Sequence, residues 1–84
     1  MDVIDFKILR AIEDLKTPYP KVERIVDMLN IDAEELGARL GVLEMDGYVK
    51  TKSETGIMAE SLPNGVTAAG LTNQGRRKLI GERW

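Results

Sequence analysis

The chain has 84 residues, contains no cysteine and no histidine, and carries a formal net charge of −2. A chain of this length is expected to form a single domain, residues 1–84, around one modest core. The missing residue types exclude disulfides, thiolate chemistry, zinc fingers and catalysis by imidazole. No apolar run approaches the ~18 residues that cross a bilayer, so we expect no membrane partner and a cytoplasmic location.

The charge is divided unevenly along the chain. Residues 1–46 carry eleven acidic and six basic side chains, a net −5, whereas residues 47–84 carry three acidic and six basic ones, a net +3. Basic groups bind DNA because they displace counterions from its phosphates. A basic surface that binds nucleic acid is therefore expected only in the second half of the chain.

Apolar residues at helical spacing predict a first helix over residues 2–15. Its buried stripe is expected to comprise Ile4, Ile8, Ala11, Ile12 and Leu15. Phe6 and Leu9 flank this stripe, and the small core leaves little room for them. We therefore expect both to contact a second copy of the chain, together with Trp84, which is otherwise a frayed end.

Two short helices joined by a tight turn are predicted next. Pro20 suits the first turn of the second helix, because its missing N–H is not needed there. A turn at residues 30–31 follows the second helix. Asp32 is predicted to cap a third helix over residues 32–46, with Glu35 completing a capping box. The buried stripe of the third helix is expected to be Leu36, Leu40 and Leu43.

A β-hairpin and a last helix complete the predicted elements. Gly47 ends the third helix in left-handed geometry. Residues 48–52 are predicted to form a strand because they are rich in β-branched and aromatic residues, and residues 66–71 form the returning strand. Thr72 is predicted to cap a last helix that extends to about residue 83.

Two motifs carry a resemblance to a known family. Residues 40–49, LGVLEMDGYV, resemble the pattern L-x-x-L-E-x-x-G-Y/L-V, and residues 71–76, LTNQGR, resemble L-T-x-x-G-R/K. In this order and spacing they resemble the small winged helix-turn-helix transcription regulators of bacteria and archaea, of the MarR-like and PadR-like kinds. The resemblance implies an α+β fold in which a three-helix bundle precedes a C-terminal β-hairpin wing and a short last helix. It also implies a regulator that places its third helix in the major groove and uses residues 48–71 as the wing.

The third helix supplies the first group of candidate DNA contacts, namely Ala33, Glu34, Ala38 and Arg39. Arg39 either pairs with Glu35 one turn away or contacts a guanine edge or a phosphate. Glu34 and Glu35 either stabilise the helix start through its dipole or accept hydrogen bonds from cytosine, at the cost of repelling phosphates. Gly37 and Gly41 either allow close approach of another element or are tolerated at ~1 kcal/mol each.

The second group of candidate DNA contacts is basic and comprises Lys50, Lys52, Arg76 and Arg77. The two lysines alternate on the first wing strand, so they share one face. They either keep an exposed strand edge soluble or contact phosphates. The two arginines either form a solvated face of the last helix or contact the DNA backbone beside the wing.

No catalytic constellation is recognisable in the sequence. Its carboxylates have the spacing of helix caps and solvated faces, not of a paired acid and base. We therefore expect no enzyme activity, no cofactor, no metal and no small-molecule substrate. The favoured function is a DNA-binding transcription regulator that binds double-stranded DNA as a homodimer. The alternative, favoured by the acidic third helix, is a winged helix used for protein–protein contact in a transcription- or chromosome-associated assembly.

Overall fold

The computed structural model describes residues 2–53 and 65–81 and confirms the predicted α+β architecture. Its elements in chain order are α1 (Val3–Asp14), α2 (Val22–Leu29), α3 (Ala33–Met45), β1 (Val49–Lys52), β2 (Ala68–Leu71) and α4 (Asn73–Gly81). The two strands form one antiparallel hairpin. None of the helices in the described part of the chain is long and apolar enough to cross a membrane.

Local rules account for the helix boundaries. The Asp2 carboxylate accepts a hydrogen bond from Asp5 N at 3.0 Å and caps α1. The Asp32 carboxylate accepts from the backbone N–H groups of the first turn of α3, at 3.1 and 3.3 Å, as predicted. Asn30 ends α2 in the left-handed conformation, with φ 52°. This conformation turns the chain sharply enough for α3 to begin three residues later.

The position predicted for Pro20 is wrong. The N-cap of α2 is Lys21, so Pro20 precedes the helix and belongs to the connection that follows α1. Its carbonyl oxygen accepts a hydrogen bond from Ala69 N at 3.1 Å, and Val22 N donates to Thr67 O at 3.0 Å. The connection therefore pairs with the edge of β2 that faces away from β1. Because the Pro20 carbonyl is bonded to β2, it is not available for a helical hydrogen bond, and α2 begins after it.

The core lies between the helices and the inner face of the hairpin. Its largest fully buried side chains are Ile8, Leu9, Ile25, Leu36, Leu40, Leu43 and Val49. The predicted stripe of α3 is thus confirmed. Val26 and Leu29 of α2 are half-buried at its margin, and Ile4, expected in the buried stripe of α1, is exposed at the start of that helix.

The prediction that the core leaves no room for Leu9 is also wrong, because this side chain is 0% exposed. The reason is that α1 packs against three elements, α2, β2 and α4. The buried arc of α1 is therefore wider than one helical stripe. Phe6 is half-buried against the same core. Trp84 lies outside the described residues.

The end of α3, the start of β1 and the start of α4 are joined at one junction. Gly47 has φ +85°, a left-handed conformation that glycine adopts without strain. The Thr72 hydroxyl donates to Gly47 O at 2.6 Å and accepts from Gly75 N at 2.9 Å, so it caps α4 as predicted. An added Cβ at Gly75 would overlap the carbonyl oxygen of Tyr48. Glycine is therefore what lets α4 approach the hairpin this closely.

Candidate nucleic-acid interface

The outward side of α3 is the first part of the candidate interface. It presents Glu34, Ala38, Val42 and Met45, at spacings of four, four and three, which place them on one side of a helix. Val42 is 55% exposed and Met45 is 87% exposed. Ala33, another predicted DNA contact, is half-buried against the core and lies at the margin of this side. The outward side of α3 is therefore small and apolar, apart from the carboxylates of Glu34 and, at its margin, the exposed Glu35 near the start of the helix.

Arg39 is held by three carboxylates. Its Nε donates to Glu35 Oε1 at 3.0 Å, and its Nη1 lies 2.9 Å from Asp2 Oδ2 and 3.1 Å from Asp5 Oδ1. Only 24% of the side chain is exposed. The guanidinium thus joins α3 to the start of α1. The geometry favours the ion-pair interpretation of Arg39, and the two aspartates are partners that helical spacing alone could not reveal, since they lie more than 30 positions away.

The same contacts shift the pKa values of Arg39 and Asp2. Hydrogen bonds to Asp2, Asp5 and Glu35 raise the pKa of the Arg39 guanidinium. The pKa of Asp2 is lowered, first by the hydrogen bond from Asp5 N and then by the one from Arg39. Arg39 is thus a permanent cation whose Nε and Nη1 donate to carboxylates. These bonds fix the orientation of the guanidinium, and turning it toward a base edge requires their loss.

Glu44 turns toward the hairpin instead of away from the protein. Its Oε2 accepts hydrogen bonds from both the backbone N and the hydroxyl of Thr51, each at 2.9 Å. Because side chains alternate across a strand, Thr51 faces α3 and its neighbours Lys50 and Lys52 point to the opposite face. The two lysines therefore do not lie in one plane with the outward side of α3.

The hairpin face that carries the lysines is partly covered by the connection between α1 and α2. Lys52 Nζ lies 4.0 Å from the centroid of the Tyr19 ring, a cation–π contact. An added Cβ at Gly70, which pairs with Lys50, would overlap the carbonyl oxygen of Pro18 and lie 3.0 Å from Tyr19 Cδ1. Both lysine side chains are nevertheless exposed, so their ammonium groups remain accessible to an anion.

The two arginines of α4 differ in their surroundings. Arg76 Nε lies 3.6 Å from Glu13 Oε2 of α1, with both side chains about half exposed (56% and 49%). Such a surface ion pair contributes ~0–1 kcal/mol and opens easily. Arg77 is exposed and makes no ion pair with any residue that the structure describes. Arg77 is thus the freer of the two cations for contact with a phosphate.

The expected dimer surface is reduced by the burial of Leu9. Among the residues described, Ile80 of α4 is 65% exposed and Val3 of α1 is 70% exposed. Ile80 borders a cavity of about 210 Å³ between α1 and α4, whose other lining residues are Arg10, Glu13, Asp14, Arg76 and Leu79. The described part of the chain contains no group of acidic, histidine or cysteine residues that could hold a metal ion.

Two solved structures have the same fold as this chain. The structure is similar to wild-type MarR from E. coli in its apo form, with a TM-score of 0.73, 17% sequence identity, and coverage of 96% of this chain and 54% of that one. It is also similar to a cysteine-to-serine variant of MarR from E. coli, with a TM-score of 0.70, 20% identity, and coverage of 98% and 59%. No family model and no curated protein matches the sequence. The chain therefore has the winged-helix fold of MarR and spans just over half the length of those structures.

Proposed function

We propose that this chain is a DNA-binding domain of a transcription regulator, in which α3 enters the major groove and the hairpin serves as the wing. The observation that carries the proposal is the outward side of α3. It follows a tight, capped turn, lies beside the hairpin, and leaves Val42 and Met45 largely exposed. An exposed helix in this position of a helix-turn-helix is the element that such domains insert into the groove.

The proposed contacts divide by chemistry. Glu34 and Ala38 would face base edges, with Ala33 at the margin. Affinity would come from cations that lie elsewhere in the chain, since basic groups neutralise phosphates and release counterions. These cations are Lys50, Lys52, Arg76 and Arg77. Arg39, whose Nε and Nη1 donate to three carboxylates, would orient α3 against α1 instead of contacting a base.

The proposal includes a homodimer formed through the first and last helices. Phe6 is half-buried and keeps part of its ring at the surface, and Ile80 is largely exposed beside the cavity between α1 and α4. A twofold dimer would bring two copies of α3 to successive turns of the duplex. Trp84 remains a predicted member of this contact.

A titration with duplex DNA at two salt concentrations tests the proposal. We expect binding that weakens steeply with salt, with a log–log slope of roughly −0.9 for each neutralised phosphate. Lys52→Ala and Arg77→Ala should each weaken binding to all sequences and reduce the slope by about 1. Lys7→Ala is the matched control, because it removes an exposed cation of α1 that belongs neither to the proposed DNA contacts nor to the residues named for the dimer contact, and should leave the slope unchanged.

A second candidate function is a protein contact through the same face. Residues 32–46 carry five carboxylates and a single arginine, a balance that repels phosphates. If no duplex binds at low salt, where nonspecific attraction is strongest, DNA binding is ruled out. Such a result would favour the winged helix as a protein-interaction module in a transcription- or chromosome-associated assembly.

A further inference from the structure

The side chains on the outward side of α3 restrict what it can contact in a DNA groove. Glu34 provides acceptor oxygens, whereas Ala38, Val42 and Met45 provide only methyl and methylene groups and the methionine sulfur. The described side chains of this face thus contain no strong hydrogen-bond donor. Arg39, the nearest donor on α3, directs its Nε and Nη1 to Asp2, Asp5 and Glu35.

These groups match a small part of the major-groove code. Guanine offers two acceptors and is usually contacted by a donor such as arginine, which this face lacks. Thymine carries a C5 methyl group that apolar side chains contact, and cytosine offers an amino group that a carboxylate can accept from. Amino groups that a carboxylate can accept from occur on both cytosine and adenine, so the distinctive match of this face is to a methyl group at C5.

We infer that α3 recognises C5 methyl groups in the major groove, through Ala38, Val42 and Met45. The inference rests on the proposed DNA-binding function and specifies what its recognition helix reads. Ala38 and Met45 are seven residues apart, about 10 Å along the helix axis. Since base pairs rise about 3.4 Å each, this stripe spans about three steps. Two or three adjacent methyl groups are the natural target of a stripe of this length.

The inference predicts that the affinity of the protein for a duplex changes when the C5 methyl group of a pyrimidine is removed or added, even though the base pairs stay the same. The probes are alternating duplexes of deoxyadenosine with thymidine, or with deoxyuridine, which lacks only the methyl group. A second pair contains deoxyguanosine with deoxycytidine, or with 5-methyldeoxycytidine, which adds the methyl group. Loss of each methyl contact should weaken binding about fourfold, and its gain should strengthen binding by the same factor. Agreement between the two pairs separates methyl contact from changes in duplex shape.

Variants of α3 identify the residues responsible. Val42→Ala and Met45→Ala remove exposed apolar groups, so the fold should persist, and each should reduce the ratio of affinities between methylated and unmethylated duplexes. Lys52→Ala is the control, because it should weaken all four duplexes equally and leave both ratios unchanged.

Two outcomes contradict the inference in different ways. Equal affinity for methylated and unmethylated duplexes would refute methyl recognition and leave the proposed DNA binding intact. Failure to bind any of the four duplexes at low salt would overturn both proposals together. If Lys52→Ala changes the ratio of affinities between methylated and unmethylated duplexes as strongly as Val42→Ala does, the assignment of methyl recognition to α3 is also refuted.

Discussion

Two glycines that lie in helices should respond oppositely to the same substitution. At Gly75 an added Cβ would overlap the Tyr48 carbonyl oxygen and lie 3.1 Å from its carbon. The obstacle is backbone, so it cannot rotate away. Relief requires α4 to move from the hairpin, where Thr72 N donates to Tyr48 O at 3.1 Å. At Gly41, in the middle of α3, an added Cβ would meet nothing within 4 Å.

The expected magnitudes follow from these surroundings. Overpacking costs about 1–3 kcal/mol, so Gly75→Ala should lower the free energy of unfolding by about that amount. Gly41→Ala should raise it by about 1 kcal/mol, because alanine is a better helix former and meets no obstacle. The same gain offsets about 1 kcal/mol of the overpacking cost at Gly75, where the obstacle is backbone and a cost near the upper end of the range is expected, so the net loss there should be about 2 kcal/mol. Urea denaturation followed by far-UV circular dichroism measures both, provided that the m-values stay equal. If Gly75→Ala proves as stable as the parent chain, the close approach of α4 to Tyr48 is not as described.

Three further measurements test other parts of the structure. Leu40→Ala should lower the free energy of unfolding by ~2–5 kcal/mol, because this side chain is 0% exposed and its truncation leaves a cavity. The control is Val42→Ala at an exposed position of the same helix, which should stay within about 0.5 kcal/mol of the parent. The folded pKa of Asp2 lies below its ordinary 3.8, so its contribution to stability is present above that pH and is lost as the pH falls through the folded pKa. In Asp2→Asn the free energy of unfolding, measured by urea denaturation, should therefore fall less than in the parent chain when the pH is lowered below about 4. A fall equal to that of the parent chain would exclude Asp2 as its cause. Sedimentation equilibrium should detect the proposed dimer, and a monomer that persists at high concentration would contradict it.

The parts of the fold that sequence could predict are those set by neighbours along the chain. The Asp32 cap, the leucine stripe of α3 and the left-handed Gly47 all depend on residues within one or two helical turns. The start of α2 was mispredicted because the Pro20 carbonyl is engaged by Ala69, almost fifty positions away. Local rules do not include such a partner.

The candidate site shows the same division. The i, i+4 spacing offers the pair between Arg39 and Glu35 as one of two alternatives, whereas the ion pairs with Asp2 and Asp5 depend on where the tertiary fold places the start of α1. The shared face of Lys50 and Lys52 follows from strand alternation. Which way that face points was not predictable, because it is fixed by the tertiary bond between Thr51 and Glu44. The geometry of Arg39 therefore favours the ion-pair interpretation over the base contact.

The described strands of the hairpin leave little opportunity for another β-strand to join them. The outer margin of β2 is occupied by the backbone around Pro20 and Val22, and the Glu44 carboxylate occupies the Thr51 N–H on β1. Exposed strand margins are the usual templates for edge-to-edge aggregation. Here a foreign strand would first have to displace the chain's own carboxylate or connecting segment. Amyloid-like growth from the described strands of the hairpin is thereby opposed by the fold itself.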